Sequence, residues 1–182
     1  MTEQARPVRH QGLYDWMQSM VFAILALVCL LTFAGRYIGV RDISMTPTLV
    51  EGDRMIVQHM FYTPERGDVV IFSRQGLRDG VAMVKRVIAV GGDVIYIDVE
   101  AGRVYVNDAP LDEPYIYEAM WWTGDMIYPY TVAEGRVFLV GDNRNRSLDS
   151  RSTEVGTVDE REILGRVIAV VFPLNRMQIF SR

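Results

Sequence analysis

A charge-free segment from Trp16 to Gly35 constrains this chain more than any other feature of its sequence. Twenty helical residues at about 1.5 Å each extend over about 30 Å, which matches the hydrocarbon core of a bilayer. Trp16 and Tyr37 lie near the two ends of the segment, where aromatic side chains favour the membrane interface. The segment therefore predicts a single transmembrane helix over residues 16–35.

The predicted helix divides the chain into three parts. Residues 1–15 form a short N-terminal tail, and residues 36–182 form one further domain, since no internal repeat or low-complexity tract divides them. Arginines lie close to both ends of the helix, so counting positive charges does not decide its orientation. A cleavable secretory signal ending at Thr32-Phe33-Ala34 is the alternative to an anchor.

Composition argues against several classes of function. The net charge of −4 argues against a nucleic acid partner, because contacts to phosphates need clustered lysine and arginine. The two histidines and the single cysteine, Cys29, lack the spacing of metal ligands. A glycine-rich phosphate-binding loop is also missing from the sequence. We therefore expect no metal site and no bound cofactor.

Beyond residue 36 the sequence changes to short runs rich in valine, isoleucine and aromatic residues, separated by turn-forming residues. Such runs predict the strands of a mostly antiparallel β domain. The predicted strands are Arg54–Met60, Gly67–Phe72, Val81–Val90, Asp93–Val99, Arg103–Val106, Arg136–Val140 and Gly165–Phe172. Hairpin turns are predicted at Glu100–Arg103 and Val106–Ala109.

The stretch from Glu113 to Pro129 differs from these runs because it is rich in aromatic residues. We predict an irregular, packed loop over this stretch. Insertion of Trp121 and Trp122 into a lipid interface is the alternative, and the sequence does not distinguish the two.

Lys85 is the only lysine in the chain. An arginine cannot lose its proton near neutral pH, whereas a lysine buried among aliphatic residues can reach the neutral form. Lys85 lies in the aliphatic run Val81–Ile88, and strand alternation places it on one face with Met83 and Val87. Two interpretations stay open at this point: a catalytic base, or an edge lysine that opposes aggregation.

Ser44 is the candidate nucleophile that matches such a base. Pro47 stiffens the chain just after it and favours an extended conformation at Thr46. This geometry suits a forward-pointing hydroxyl and leaves the Ser44 N–H available to an oxyanion. A Ser-His-Asp site is disfavoured, because His59 is the only histidine beyond residue 36 and lies in an apolar run. An ordinary loop is the alternative interpretation of the Ser44 segment.

A third cluster, Gly141–Arg151, is a dense polar run that follows an apolar strand. Alone, it is typical either of a solvated loop or of the floor of a site. Taken together and in this order, the three segments resemble the bacterial type I signal peptidases. The matching stretches are Ser44-Met45-x-Pro47-Thr48-Leu49, Gly67–Phe72, Lys85–Ile88 followed by Gly92-Asp93, Gly141–Arg144, and Ser147-x-Asp149-Ser150-Arg151.

The resemblance implies a membrane-anchored serine endopeptidase that removes signal peptides from exported preproteins after small residues. Ser44 is the implied nucleophile and Lys85 the implied general base, with an acyl-enzyme intermediate. Ser147 is implied to orient the lysine amine, and Asp149 with Arg151 to form a supporting ion pair. The resemblance also implies a fold shared with self-cleaving repressors and no cofactor.

The implied partners are preprotein signal peptides and membrane lipid. The implied location is the plasma membrane, with the N-terminus cytoplasmic and the catalytic domain outside. We expect an extended substrate to add as a strand between the Ser44 and Lys85 segments. Shallow pockets for small substrate side chains are predicted at Val40, Met45 and Val84.

The chain departs from the family pattern at two positions. Asp42 stands where many members carry a hydroxyl residue of the oxyanion hole, so we expect its carboxylate to point away and the Ser44 N–H to serve instead. Gly91 stands where a proline usually precedes the Gly-Asp pair. We expect a looser turn there, with little effect on chemistry.

Three other functions compete with this one. A self-cleaving repressor-type protease also uses serine and lysine, but that class carries a DNA-binding N-terminal domain. A membrane-tethered β domain that binds peptides without cutting them predicts that Ser44→Ala leaves function intact. An inactive paralogue is disfavoured, because the chain retains the full set Ser44, Lys85, Ser147, Asp149 and Arg151.

Overall fold

The computed structural model of this 182-residue chain describes residues 11–33, 36–59, 61–77 and 80–180. The chain divides into two compact units, residues 1–35 and residues 36–182. The first unit contains helix α1, Gln11–Phe33. The second contains the β strands. Most of the predicted tail, residues 1–10, lies outside the described residues, as do residues 34 and 35.

Helix α1 covers most of the segment predicted as a transmembrane helix, residues 16–35. In the part of the chain that the structure describes, no helix combines the length and the apolarity that a membrane crossing requires. The helix has 23 residues and begins five residues before the predicted span.

The second unit is mostly antiparallel β structure, which confirms that part of the predicted fold. Its strands in the described residues are β1 (Arg36–Gly39), β2 (Arg54–Gln58), β3 (Val69–Phe72), β4 (Met83–Val90), β5 (Val94–Asp98), β6 (Arg103–Val106), β7 (Ala109–Pro110), β8 (Tyr130–Thr131), β9 (Arg136–Val140), β10 (Val158–Asp159), β11 (Ile163–Phe172) and β12 (Gln178–Ile179). All of their pairings are antiparallel.

The strands form two sheets. The larger sheet has the order β1-β2-β11-β3-β4-β9-β10, with β12 paired to β11. The smaller sheet has the order β7-β6-β5-β8. Alternating apolar residues explain why one face of each strand is buried: in β2, Met55 and Val57 point into a core cluster that also contains Leu49 and Val69.

The seven predicted strands are all present, with ends that differ by a few residues. Both predicted hairpin turns are present as well, and the second one shows why its sequence favours a turn. Asn107 and Asp108 have positive φ angles of 53° and 64°, a conformation that asparagine and aspartate tolerate better than most residues. Residues 111–129 carry no helix or strand, as predicted for the aromatic stretch.

Strand β4 changes partners along its length, and this change places the candidate base. Residues Met83–Arg86 pair with β3, whereas Arg86–Val90 pair with β9. Among the described strands, the residues from Met83 to Lys85 therefore have a ladder partner on one side only.

Candidate active site

Ser44 lies in the loop between β1 and β2, which short backbone hydrogen bonds hold in place. The Val40 N–H donates to the Asp53 carbonyl at 2.9 Å and closes the base of the loop. Within the loop, the Thr46 N–H donates to the Ile43 carbonyl at 3.1 Å. Ser44 itself is only 3% exposed. The loop thus presents a serine with a fixed backbone inside the protein rather than on a solvated surface.

Lys85 reaches Ser44 from strand β4. Its Nζ lies 2.5 Å from the Ser44 Oγ, within hydrogen-bond distance. The lysine is 1% exposed. Burial disfavours the charged ammonium form of a lysine side chain. The neutral amine form can accept a proton from a hydroxyl. The two residues are 41 positions apart in sequence, and only the folded chain brings them together.

A cavity of about 320 Å³ opens beside Ser44. The three residues predicted to line substrate pockets, Val40, Met45 and Val84, all line it. Its other lining residues are Ile38, Gly39, Arg41, Asp42, Ile71, Val81, Ala82 and Met83. The wall is mainly aliphatic, and such a cavity accepts small apolar side chains next to the hydroxyl.

Ser147 is half-buried, and its buried Oγ does not make the predicted contact. Among the described residues its Oγ has no hydrogen-bond partner, so the predicted bond to the Lys85 amine is absent. A side chain added at Gly141 would overlap both Ser147 Oγ and the Ser44 carbonyl oxygen. Close packing on the Gly141 backbone therefore sets the position of Ser147.

Asp149 and Arg151 form a fully buried, two-pronged ion pair. The Nε–Oδ1 and Nη2–Oδ2 distances are both 2.8 Å. Asp149 also accepts a hydrogen bond from the Gly141 N–H at 3.1 Å, and Arg151 donates to the Arg144 carbonyl at 2.5 Å. The pair therefore fixes the backbone of the polar loop from Gly141 onward.

A second buried ion pair, which the sequence reasoning missed, joins Arg86 to Asp142. Two hydrogen bonds of 2.8 and 2.7 Å connect them, and the Thr48 hydroxyl donates to the same carboxylate at 2.5 Å. The Tyr115 ring lies 3.8 Å from the Arg86 guanidinium carbon. This group ties the Ser44 loop to the polar loop. Strand alternation could have indicated a separate role for Arg86, because it places Arg86 and Lys85 on opposite faces of β4.

The aromatic loop, residues 113–129, packs on the polar loop through its backbone and one ion pair. Glu113 binds the buried Arg144 at 2.5 Å, and the Tyr117 N–H donates to the Asp142 carbonyl at 3.0 Å. Burial lowers the pKa of Arg144, but the hydrogen bonds and charge of Glu113 outweigh it and raise the pKa overall. Burial raises the pKa of the Tyr115 phenol. The loop is therefore ordered by charged contacts beneath it.

Comparison with known proteins identifies the family. A family model described as "Signal peptidase, peptidase S26" matches residues 13–172, most of the chain. The chain belongs to the signal peptidase family. A "Signal peptidase I" of Bacillus licheniformis is 32% identical to this family member over 98% of both chains. A "Probable signal peptidase I-1" of Synechocystis is 36% identical, covering 86% of this chain and 81% of its own.

A solved structure is also similar to this signal peptidase family member. The crystal structure of a signal peptidase I from Enterococcus faecalis is 31% identical in sequence. The match covers 58% of this chain and 97% of that chain, with a TM-score of 0.47.

The two departures from the usual signal peptidase pattern have local explanations. The Asp42 carboxylate accepts a hydrogen bond from the N–H of Ile43, its own neighbour, at 2.7 Å. At Gly91, an added Cβ would lie 2.9 Å from the Cα of Glu134. The close approach of Glu134 therefore excludes a proline ring at this position and requires glycine.

Trp121 and Trp122 lie on the aromatic loop with exposed side chains, 68% and 45% respectively. The loop below them is held by hydrogen bonds to the polar loop, including Arg151 Nη1 to the Trp122 carbonyl at 3.3 Å. Insertion of these two side chains into lipid stays an open alternative.

Proposed function

We propose that this signal peptidase family member is a serine endopeptidase that removes signal peptides from exported preproteins. One observation carries the proposal: a buried lysine amine lies 2.5 Å from a buried serine hydroxyl, beside a small aliphatic cavity. In this pair Ser44 is the nucleophile and Lys85 the general base. No metal or cofactor takes part in the proposed reaction.

The reaction proceeds through an acyl-enzyme. Neutral Lys85 takes the Ser44 proton as Oγ attacks the carbonyl carbon of the scissile bond. When the tetrahedral intermediate collapses, the protonated lysine returns the proton to the leaving amine, which is the new N-terminus of the mature protein. Neutral Lys85 then takes a proton from the water that attacks the ester, and it returns this proton to the Ser44 Oγ as the acid product leaves.

The developing oxyanion needs a donor in a fixed position, and we assign the Ser44 backbone N–H to this role. Asp42 does not compete for the site with its carboxylate, since that group is engaged by the Ile43 N–H. The Asp149–Arg151 pair supports the site indirectly, because it holds the Gly141 backbone that packs against the Ser44 carbonyl.

The shape of the site favours an extended substrate with small side chains. A cavity of about 320 Å³ lined by Val40, Met45 and Val84 has room for small side chains next to the scissile bond. The residues from Met83 to Lys85 lack a second ladder partner among the described strands, so a substrate backbone can pair there. The proposed enzyme therefore prefers small residues on the N-terminal side of the scissile bond.

We propose that the protein acts at the outer face of the plasma membrane. The side chains of α1 that support this are apolar and exposed: Leu13, Trp16, Met17, Val21, Phe22, Ile24, Leu25 and Leu27. Exposed apolar surface of this kind favours contact with lipid. In this arrangement residues 1–15 are cytoplasmic and residues 36–182 form the extracytoplasmic catalytic domain.

Cleavage of a preprotein with a small-x-small signal site tests the proposal. The full chain in detergent is compared with Ser44→Ala and Lys85→Ala, and mass spectrometry identifies the product termini. We expect one cut after the small residue by the unmodified chain and no cut by either variant. Equal cutting by all three proteins would overturn the assignment of Ser44. Binding of the signal peptide without cutting would favour a tethered binding domain instead.

A further inference from the structure

Asn143 contacts the backbone on both sides of Ser44. Its own N–H donates to the Ser44 carbonyl oxygen at 3.0 Å. Its side-chain Nδ2 donates to the Ile43 carbonyl oxygen at 3.2 Å. The residue is 5% exposed, so both bonds are shielded from water. One residue of the polar loop thus holds the two peptide groups that flank the Ser44 Cα.

The side chain of Asn143 does not make the helix-capping hydrogen bond that is usual at its position. Asn143 precedes the short 3-10 helix Arg144–Arg146, and asparagine at such a position usually accepts a backbone N–H with its side-chain oxygen. Here no such capping bond forms. The Oδ1 atom is buried and has no hydrogen-bond partner in the part of the chain that the structure describes. A buried polar atom without a partner costs free energy, and among the described residues the Asn143 side chain is held by its Nδ2 contact alone.

The geometry of a peptide bond links that contact to the Ser44 N–H. The Ile43 carbonyl and the Ser44 N–H belong to the same planar peptide group, and in a trans peptide they point in opposite directions. A hydrogen bond that fixes the carbonyl therefore also fixes the direction of the N–H. The second bond, to the Ser44 carbonyl, fixes the following peptide and with it the direction of the side chain.

We propose that Asn143 is a positioning residue that aims the Ser44 N–H at the oxyanion and the Ser44 hydroxyl at the substrate. The inference rests on the proposed function and deepens it. A donor that is already aimed needs no reorganisation when negative charge develops on the substrate oxygen. The polar loop is itself fixed by the Asp142–Arg86 and Asp149–Arg151 pairs, so Asn143 transmits a rigid position to Ser44.

The direct test is Asn143→Ala in the full chain in detergent. This variant keeps the backbone N–H that binds the Ser44 carbonyl and removes only the Nδ2 contact. We expect kcat to fall by about 10- to 100-fold, with KM within about twofold. A Ser44 N–H and hydroxyl that are out of position stabilise the transition state less but leave substrate binding unchanged. Asn143→Asp places a carboxylate oxygen against the Ile43 carbonyl and should lower kcat at least as much.

A transition-state mimic separates aiming from folding. Ser44 adds reversibly to a small-x-small peptide aldehyde: the Oγ–C bond forms, the carbonyl π pair moves to oxygen, and the serine proton passes to Lys85. We expect Asn143→Ala to weaken aldehyde inhibition by about the same factor as it lowers kcat/KM. Binding of the corresponding peptide alcohol, which has no carbonyl, should not change.

Asn107→Ala is the control, because it removes side-chain hydrogen bonds in a hairpin away from Ser44: Asn107 Oδ1 accepts from the Val94 N–H, and its Nδ2 donates to Asp93. It should lower the unfolding temperature without lowering kcat. The positioning role is overturned if Asn143→Ala keeps the original kcat, or if it weakens the alcohol as much as the aldehyde. If the unmodified chain cuts no preprotein, the proposed function itself fails, and that result is distinct.

Discussion

At the scale of single residues, the site depends on a lysine amine that is removed from water. Lys85 is 1% exposed and lies 2.5 Å from the Ser44 hydroxyl. Its neighbour Arg86 points to the other face of β4 and forms an ion pair with Asp142. Two adjacent basic residues thus have different roles, one chemical and one structural, because strand alternation sends them to opposite faces.

Lys85→Arg keeps a positive charge at this position but removes the capacity to accept a proton, since arginine stays protonated. We expect kcat to fall by about 10²- to 10⁴-fold, the usual contribution of a general base. Initial rates of preprotein cleavage measure the effect. A variant that cuts at the original rate would show that Lys85 acts through charge rather than as a base.

Asp142→Ala removes one partner of a buried ion pair and leaves the Arg86 charge and the Thr48 hydroxyl without their acceptor. Breaking such a pair costs about 3–5 kcal/mol of unfolding free energy, because an uncompensated charge stays buried. Urea unfolding measures the loss. The control is Arg161→Ala, which breaks the exposed pair with Asp159 and should leave stability unchanged. Equal effects of the two variants would contradict this account.

At the scale of elements, the strands could be predicted because the two-residue apolar period of a strand and the residue preferences of turns depend only on nearby sequence. The run Arg136–Val140 and the Asn107-Asp108 turn required no knowledge of distant residues. Strands of two residues, such as β8 and β12, have no period to detect. The Glu113–Arg144 pair and the Asn143 contacts with Ile43 and Ser44 join loops far apart in sequence, so only the folded chain reveals them.

Titration of Asp93, in the turn between β4 and β5, makes the stability of the fold depend on pH. Burial raises its pKa, but hydrogen bonds from Val90, Asn107 and Arg66, with the Arg66 charge, outweigh burial and lower it below its ordinary value. A carboxyl with a lowered pKa in the folded state stabilises the fold above its unfolded pKa, about 3.9. That stabilisation is lost as the pH falls through the folded pKa.

Asp93→Asn should therefore destabilise the protein at neutral pH and less so in acid. We expect a loss of about 1.5–3 kcal/mol in unfolding free energy at pH 7, typical of hydrogen bonds to a charged group. The difference from the unmodified chain should shrink below about pH 4. Denaturant unfolding from pH 7 to pH 3 measures it. A difference that stays constant over this range would show that the Asp93 charge does not stabilise the turn.

At the scale of the whole molecule, the proposed catalysis and the proposed membrane contact belong to different units. Residues 36–182 contain the proposed catalytic pair, the cavity, and the Arg86–Asp142 and Asp149–Arg151 ion pairs. Helix α1 supplies exposed apolar side chains for membrane contact. The apolar segment is helical, and the helix begins at Gln11, before the charge-free run. Hydropathy locates an apolar run but not the polar residues that extend the same helix.

The membrane location predicts how the full chain fractionates in cells. We expect it to sediment with membranes, and its catalytic domain to be digested by protease added outside cells whose wall has been removed. Phe22→Asp combined with Leu25→Asp should move the chain toward the soluble fraction, because both side chains are apolar and exposed on α1. Ser44→Ala is the control and should leave fractionation unchanged. A domain protected from the protease would contradict the proposed orientation.

The central claim is that Ser44 forms a covalent acyl-enzyme with help from Lys85. The most direct measurement is mass spectrometry of a single-turnover reaction with a signal-site peptide, stopped by acid at successive times. We predict a transient species heavier than the chain by the N-terminal fragment of the substrate less one water, mapped to Ser44 and missing in Lys85→Ala. An acyl group on any other residue, or undiminished cleavage by Ser44→Ala, would contradict the account.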